Sequence, residues 1–211
     1  MPRLVTFGCS YTFGLGLPDV HPLVSIKDTA PSKFAWPNLL ASKLGYDCIN
    51  NSVPGSGNLE ILLKVFQTEY QPDDVVIVGW SHFTRYDFYK IVSKNYDGAR
   101  IYEKDKNFKK VVLESKFSEI NYQLNSFVKN WLCISHANLF LTTMGIKNYF
   151  YLNTTGWEAE NKPEYIPVDG NLNIYPEDYT IDQALDNAHA GLKSQELLAH
   201  LMYNKINNEL R

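Results

Sequence analysis

The sequence predicts an α/β domain, a three-layer α/β/α sandwich around a mainly parallel sheet. Three observations carry that prediction. Short apolar runs that read as strands alternate with helical patterns along the chain, beginning with a strand. The clearest run, Val75-Val76-Ile77-Val78-Gly79-Trp80, is apolar on consecutive positions, and a strand of that kind is covered on both faces, as in a parallel sheet with helices on either side. Glycine-rich or turn-rich segments directly follow the first two runs, at the sheet edge where such domains bind ligands.

The elements follow in order. Leu4-Val5-Thr6-Phe7, partly β-branched and stopped by Gly8, predicts a buried strand. Ser32 precedes a helical pattern of Phe34, Leu39, Leu40 and Leu44 that ends at Gly45, a C′ glycine. Tyr46 to Asn50 predicts a second strand, and the turn-rich stretch Asn51 to Asn58 follows it. Asn58 is expected to N-cap a helix that carries Ile61, Leu62, Val65 and Phe66. The third strand is the Val75 run. Residues 95 to 112, mixed in charge and aromatic with Asp97-Gly98 as a turn signal, are expected to form a surface excursion, with a hairpin as one form. Ile120, Leu124, Phe127, Trp131 and Ile134 fall at helical spacing and predict a long amphipathic helix, ended by Met144-Gly145. Ile146 to Leu152 predicts another buried strand. Residues 156 to 180 hold Pro163, Pro167, Pro176, Gly156 and Gly170 and read as a long irregular loop, of the kind that is often functional. A helix from about His189, with Leu198, Leu201, Met202 and Ile206 on one face, closes the pattern.

Composition narrows the function classes. A chain of 211 residues can bury a core of its own as one domain, and 45% hydrophobic with 20% charged residues is a globular balance. Lys and Arg number 20 against 23 Asp and Glu, a formal charge of −3, so no electrostatic footprint for nucleic acid or an anionic membrane is present. Cys9, Cys48 and Cys133 are widely spaced without a C-x-x-C pair, which speaks against a disulfide framework and a zinc knuckle. The apolar stretch at the start is too short for a signal peptide, and no stretch approaches the roughly 20 apolar residues of a membrane span. A cytoplasmic setting is the expectation.

The sheet argument directs the functional search to Gly8 to Gly16, Asn51 to Asn58 and Gly79 to Arg85. In the first, Ser10 would sit on a tight strand-to-helix turn that Gly8 allows. Such a serine is either a nucleophile with a backbone donor aimed at the same point or a helix cap. Near the end of the chain stands Asp186-Asn187-Ala188-His189. Its i, i+3 spacing places both side chains on one side of a helical turn. A carboxylate there can hold one imidazole nitrogen and leave the other to take a proton from a hydroxyl. The alternative is a histidine in a first helical turn with an incidental acidic neighbour. Gly14-Leu15-Gly16-Leu17 matches half of a dinucleotide fingerprint, but no third glycine follows and Pro18 intervenes. His82 and His136 lack partners at metal-ligand spacing. His200 lies roughly 16 Å along a helix from His189, too far to share a site. Cys9 is expected to be a small buried packer, and Glu103 to Lys110 a solvated face. Trp80, Trp157, Tyr86 and Tyr165 are candidates for a sugar-binding rim, with core roles for at least half of them.

Together the two motifs resemble the SGNH hydrolases, the GDSL esterase and lipase superfamily, whose sheet is flavodoxin-like. Gly8-Cys9-Ser10 is similar to the Gly-Asp-Ser-type block, with Cys9 in place of Asp. Asp186-Asn187-Ala188-His189 is similar to the Asp-x-x-His block before the final helix. Asn50 or Asn51 followed by Val53-Pro54-Gly55 looks like the second block, whose glycine N–H joins the oxyanion hole. The family's Gly-x-Asn-Asp block is matched by Gly79-Trp80-Ser81-His82. Ser81 there replaces an Asn oxyanion donor, a loss of roughly 2.7–4 kcal/mol of transition-state stabilisation. The resemblance implies a Ser10-His189-Asp186 triad and an oxyanion hole from Ser10, Gly55 and Ser81, with Arg85 or Asn58 as substitute donors. It implies no metal or organic cofactor. Trp80, His82, Arg85 and Asn58 are candidate substrate contacts. The substrate would be a small-molecule or glycan ester, and the protein an esterase or O-deacetylase. A second reading, motivated by Ser81, is a weak or inactive binding or structural protein on a retained hydrolase fold. A third, a nucleotide-binding α/β domain, needs a phosphate cradle that these residues do not complete.

Overall fold

The computed structural model describes residues 1–20, 29–82, 85, 89–94, 100–104, 119–146, 148–153, 172 and 174–209. Its centre is a four-stranded sheet in the order β2-β1-β3-β6, built from β1 (Arg3–Phe7), β2 (Asp47–Asn50), β3 (Val75–Trp80) and β6 (Asn148–Asn153). All three pairings are parallel: Arg3 faces Asp47, Leu4 faces Val75, and Val75 faces Asn148. Every residue of β3 is buried, as its unbroken apolar run requires. Alternate side chains enter opposite layers. Val76, Val78 and Trp80 pack with Val5 and Phe7, and Val75 and Ile77 pack with Leu4.

Helices cover each face. On one lie α2 (Trp36–Leu44) and α6 (Leu192–Glu209), which bring Trp36, Leu40, Leu198, Met202 and Ile206 to the sheet. The Gln195 amide oxygen accepts the Trp36 N–H at 2.8 Å and ties these two helices together. On the other lie α3 (Asn58–Gln67) and α4 (Glu119–Thr143), with Ile61, Leu62, Val65, Trp131 and Ile134. Strand order reverses at β1, because α2 and α3 cross the sheet on opposite faces. That switch point is where open α/β sheets bind ligands. β4 (Tyr89–Lys94) and β5 (Arg100–Lys104) form a separate antiparallel hairpin. Among the described residues, no helix is long and apolar enough to cross a membrane.

Several boundaries differ from the sequence expectation for identifiable reasons. α2 starts at Trp36 with Pro37 in its first turn, well after Ser32. Ser32 is held instead by Asp19 at 2.5 Å and accepts the Phe34 N–H at 3.0 Å, and Phe34 is exposed. Gly45 does close α2, at φ 73°. The N-cap of α3 is Gly57, and Asn58 is the first helical residue. Phe66 turns outward and meets Phe140 of α4 edge-on, at 4.8 Å between ring centroids. The hairpin begins at Tyr89, ahead of the expected excursion, and the Asp97-Gly98 turn lies outside the described residues, as does most of 156 to 180. The end of that loop is not irregular: α5 (Pro176–Tyr179) forms there, and Leu172, Ile174 and Tyr179 are buried against the α2/α6 face.

α6 begins at Leu192, so His189 precedes the helix. The start is set from a distance. Asp182 accepts the Lys193 and Ser194 N–H groups at 3.1 and 2.8 Å and the Ser194 hydroxyl at 2.5 Å. A Cβ on Gly191 would stand 2.6 Å from the Asp182 carboxyl carbon, so only glycine lets the backbone pass that close. Asp182→Ala is expected to destabilise the protein by about 1–2 kcal/mol, the usual worth of an N-cap. Urea unfolding should show a lower midpoint with an unchanged slope.

Candidate active site

β1 ends at Phe7, and the chain turns on Gly8, where a Cβ would lie 2.2 Å from the Thr12 hydroxyl oxygen. A single helical turn, α1 (Ser10–Phe13), follows, with Cys9 as its N-cap and Gly14 in the left-handed region at φ 78°. Cys9 is fully buried. Ser10 is therefore no cap, and its hydroxyl points to another part of the chain. Ser10 Oγ lies 2.8 Å from His189 Nε2, and His189 Nδ1 lies 2.5 Å from Asp186 Oδ2.

Asp186 and His189 are brought together by a non-helical turn. Asn187 sits at φ 52°, and Asp186 Oδ1 accepts the Ala188 and His189 N–H groups at 3.0 and 3.1 Å. The i, i+3 spacing thus places the pair correctly, but the backbone is an Asx-type turn. A Gln183–Ala190 bridge and the Ala184 N–H to His189 oxygen bond, at 2.9 Å, close its base. Partial burial pushes the Asp186 carboxyl up, but donation from Ala188 and His189 outweighs it and holds the group below its ordinary value. An ionised Asp186 only accepts hydrogen bonds, so in the neutral imidazole the proton belongs on Nδ1 and the Nε2 lone pair faces the Ser10 hydroxyl.

Two neighbours of the pair had no role beside it in the sequence reading. Tyr11 stacks against His189 at 4.9 Å between centroids, tilted by 58°. Gly16, at φ 82°, packs so closely that a Cβ would lie 2.7 Å from the Asp186 carboxyl carbon, and its carbonyl accepts the Leu185 N–H at 2.9 Å. The glycine of the half-fingerprint is therefore a packing contact for Asp186. His189 opens into a pocket of about 390 Å³ whose walls include Tyr11, His82, Glu177, Thr180 and Gln183.

The second block sits beside this turn. Asn50 donates to the Thr12 carbonyl at 3.0 Å and accepts from Ser52, the Asn51 N–H extends the sheet onto the Thr6 carbonyl, and the Val53 N–H reaches the Gly8 carbonyl at 3.0 Å. Gly55 is exposed, at φ 83° with open space around its Cβ position, so backbone conformation is what calls for glycine there.

The third block departs most from expectation. Ser81 is fully buried and offers no surface to a substrate oxygen. Its Oγ accepts from Arg85 Nη1 at 3.0 Å. Asn58 is 1% exposed and is neither a substrate contact nor a substitute donor. Its amide accepts the Ser81 N–H at 2.7 Å and donates to the Ser81 carbonyl and to Asn130 Oδ1, at 3.1 and 2.7 Å. Trp80 is a core residue packed with Trp131, because it shares a strand face with Val76 and Val78. His82 is exposed on the pocket wall, and desolvation followed by the charge of Arg85 pushes its imidazole below the ordinary value. Tyr86, Trp157 and Tyr165 lie outside the described residues. His136 on α4 bonds the Leu132 carbonyl and His200 on α6 bonds Asn204, both away from the site.

Gly16→Ala is expected to displace Asp186 and to strain a left-handed backbone by roughly 1 kcal/mol. Asp186→Asn tests the charge itself. A carboxyl held below its usual value stabilises the fold above about pH 4, and that contribution disappears as pH falls through the depressed value. The gap in urea midpoint between the native protein and Asp186→Asn should therefore be full at neutral pH and close in acid.

No family model matches the chain, and no curated protein matches it. Solved structures do. A carbohydrate esterase, described as having an active site with divergent catalytic and non-catalytic binding functions, superposes with a TM-score of 0.57 at 12% identity, over 97% of this chain and 68% of that one. The psychrotrophic esterase EstA from Pseudoalteromonas sp., solved inhibited by monoethylphosphonate, gives 0.53 at 10% identity, over 99% and 98%. A lipolytic protein of the G-D-S-L family from Desulfitobacterium hafniense DCB-2 gives 0.50 at 10% identity, over 96% and 98%. At such identities the likeness establishes architecture: this chain has the α/β fold of the SGNH hydrolases.

Proposed function

We propose that the protein is a serine hydrolase that cleaves a carboxylic ester. The observation that carries this reading is the unbroken hydrogen-bonded chain from Ser10 Oγ through His189 to Asp186. Ser10 Oγ attacks the ester carbonyl as its proton passes to His189 Nε2. Asp186, already accepting from Nδ1, stabilises the resulting imidazolium. The tetrahedral intermediate collapses, the alcohol leaves with the proton from His189, and water repeats the sequence to release the acid and restore Ser10. The backbone N–H groups of Ser10 and Gly55 are the oxyanion donors in this scheme. With Ser81 buried, Ser81 is no side-chain donor to the hole, and losing one such donor lowers the rate by roughly 10²–10³-fold against a complete hole. The pocket volume and its mixed aromatic and polar wall suit a small-molecule or glycan ester, and similarity to carbohydrate and psychrotrophic esterases supports the same class.

The burial of Ser81 also favours a second reading, a protein on this fold that binds an acylated ligand without turnover. The two readings separate on one measurement. A fluorophosphonate probe should label the native protein and not Ser10→Ala. Ser10→Ala and His189→Ala should each lower hydrolysis of 4-nitrophenyl acetate on the order of 10³-fold or more. Absence of labelling in folded native protein would leave only the binding reading.

A further inference from the structure

The turn after the third block holds a cation that the triad chemistry does not use. Arg85 Nη1 is pinned by the Ser81 hydroxyl at 3.0 Å and the Ser56 carbonyl at 3.2 Å, both neutral oxygens. Its backbone N–H bonds the His82 carbonyl, also at 3.0 Å. Among the described residues no carboxylate pairs with Arg85, and its Nε and Nη2 donate to no oxygen. Arg3 shows the contrasting arrangement, with Nε and Nη2 both on the Asp74 carboxylate at 2.8 and 2.6 Å.

A half-buried guanidinium with no counter-ion among the described residues gives up hydration for little return. The unused Nε–Nη2 edge is the pair of parallel donors that fits a carboxylate with two hydrogen bonds. Its mounting is rigid, since Ser81 is clamped through its own N–H and C=O by buried Asn58, which is held in turn by Asn130. Its charge is felt on the pocket wall. Burial raises the Tyr11 phenol and Arg85 opposes that rise, while burial lowers the His82 imidazole and Arg85 adds to the fall. The wall from α5 carries Glu177, which disfavours an anion near that helix.

We propose that Arg85 is a carboxylate-binding subsite beside this pocket, joined to its wall through the bond from the Arg85 N–H to His82, so that the ester the protein cleaves carries a carboxylate near its scissile bond. The substrate half of this statement rests on the ester-hydrolase reading; the anion site does not. The test compares phenyl acetate with two anionic esters, 4-acetoxybenzoate, charged on the leaving group, and phenyl hydrogen succinate, charged on the acyl group. The native protein should prefer at least one anionic ester by roughly 10- to 100-fold in kcat/KM, the range of a charge-assisted contact. Arg85→Gln should bring that ratio close to one, and Arg85→Lys, which keeps the charge and loses the fork, should retain part of it. In parallel, calorimetry on Ser10→Ala should detect binding of succinate or 4-hydroxybenzoate that weakens about tenfold or more when Arg85→Gln is added. Carboxylate binding through Arg85 without cleavage of any ester would sustain the subsite and reject the hydrolase. An equal preference in the native and Arg85→Gln proteins, an equal loss on neutral and anionic esters, or no carboxylate binding would overturn the subsite, whatever the esterase result.

Discussion

The pairing of β1 with strands on both sides is the constraint on which the rest depends. Its residues are hydrogen-bonded to β2 along one edge and β3 along the other, and all but Arg3 are buried. The pairing is parallel, so all three strands release their chains at the same edge. The turns at Ser10, Gly55 and Ser81 are neighbours for that reason, and close packing then fixes their distances. A side chain on Gly8 would press on Thr12 and stand 3.1 Å from the Gly79 carbonyl, so the first and third blocks are in backbone contact. The second is laced to the first through Asn50 and Val53.

Much of this layout was legible in the sequence because it rests on local patterns. The consecutive apolar residues of β3, the stop at Gly45 and the glycine after the first strand each express a short-range requirement. Ser10, Asp186 and His189 were legible as a set because their spacings match an ordered group of motifs. Other features answer to partners far along the chain. Asn58 has the composition of a cap, yet its amide spans Ser81 and Asn130, 72 residues beyond it. Ser32 answers to Asp19, and the start of α6 to Asp182. Gly16 must be glycine because of Asp186, a contact that spacing could not announce. Trp80 is a different case: strand alternation alone assigns it to the face of Val76 and Val78.

The turn after β3 shows how one buried serine fixes a charge. Ser81 lies below the surface, and its hydroxyl oxygen is an acceptor. It accepts from an arginine of the next turn, which fixes a positive charge there. The buried amides of Asn58 and Asn130 hold this arrangement. Buried polar groups of this kind are stabilising only when every member is satisfied, which couples the position of the charge to the integrity of the α3–α4 layer.

The bond between Ser10 and His189 joins residues 179 positions apart. Closing so long a loop is entropically costly and is repaid only after the sheet and both helical layers have assembled. A partly folded chain can hold β1, its turn and the exposed hydroxyl, yet it has no base within reach of that hydroxyl. The Ser10–His189 contact therefore marks completed molecules, and in refolding it belongs among the last contacts to form.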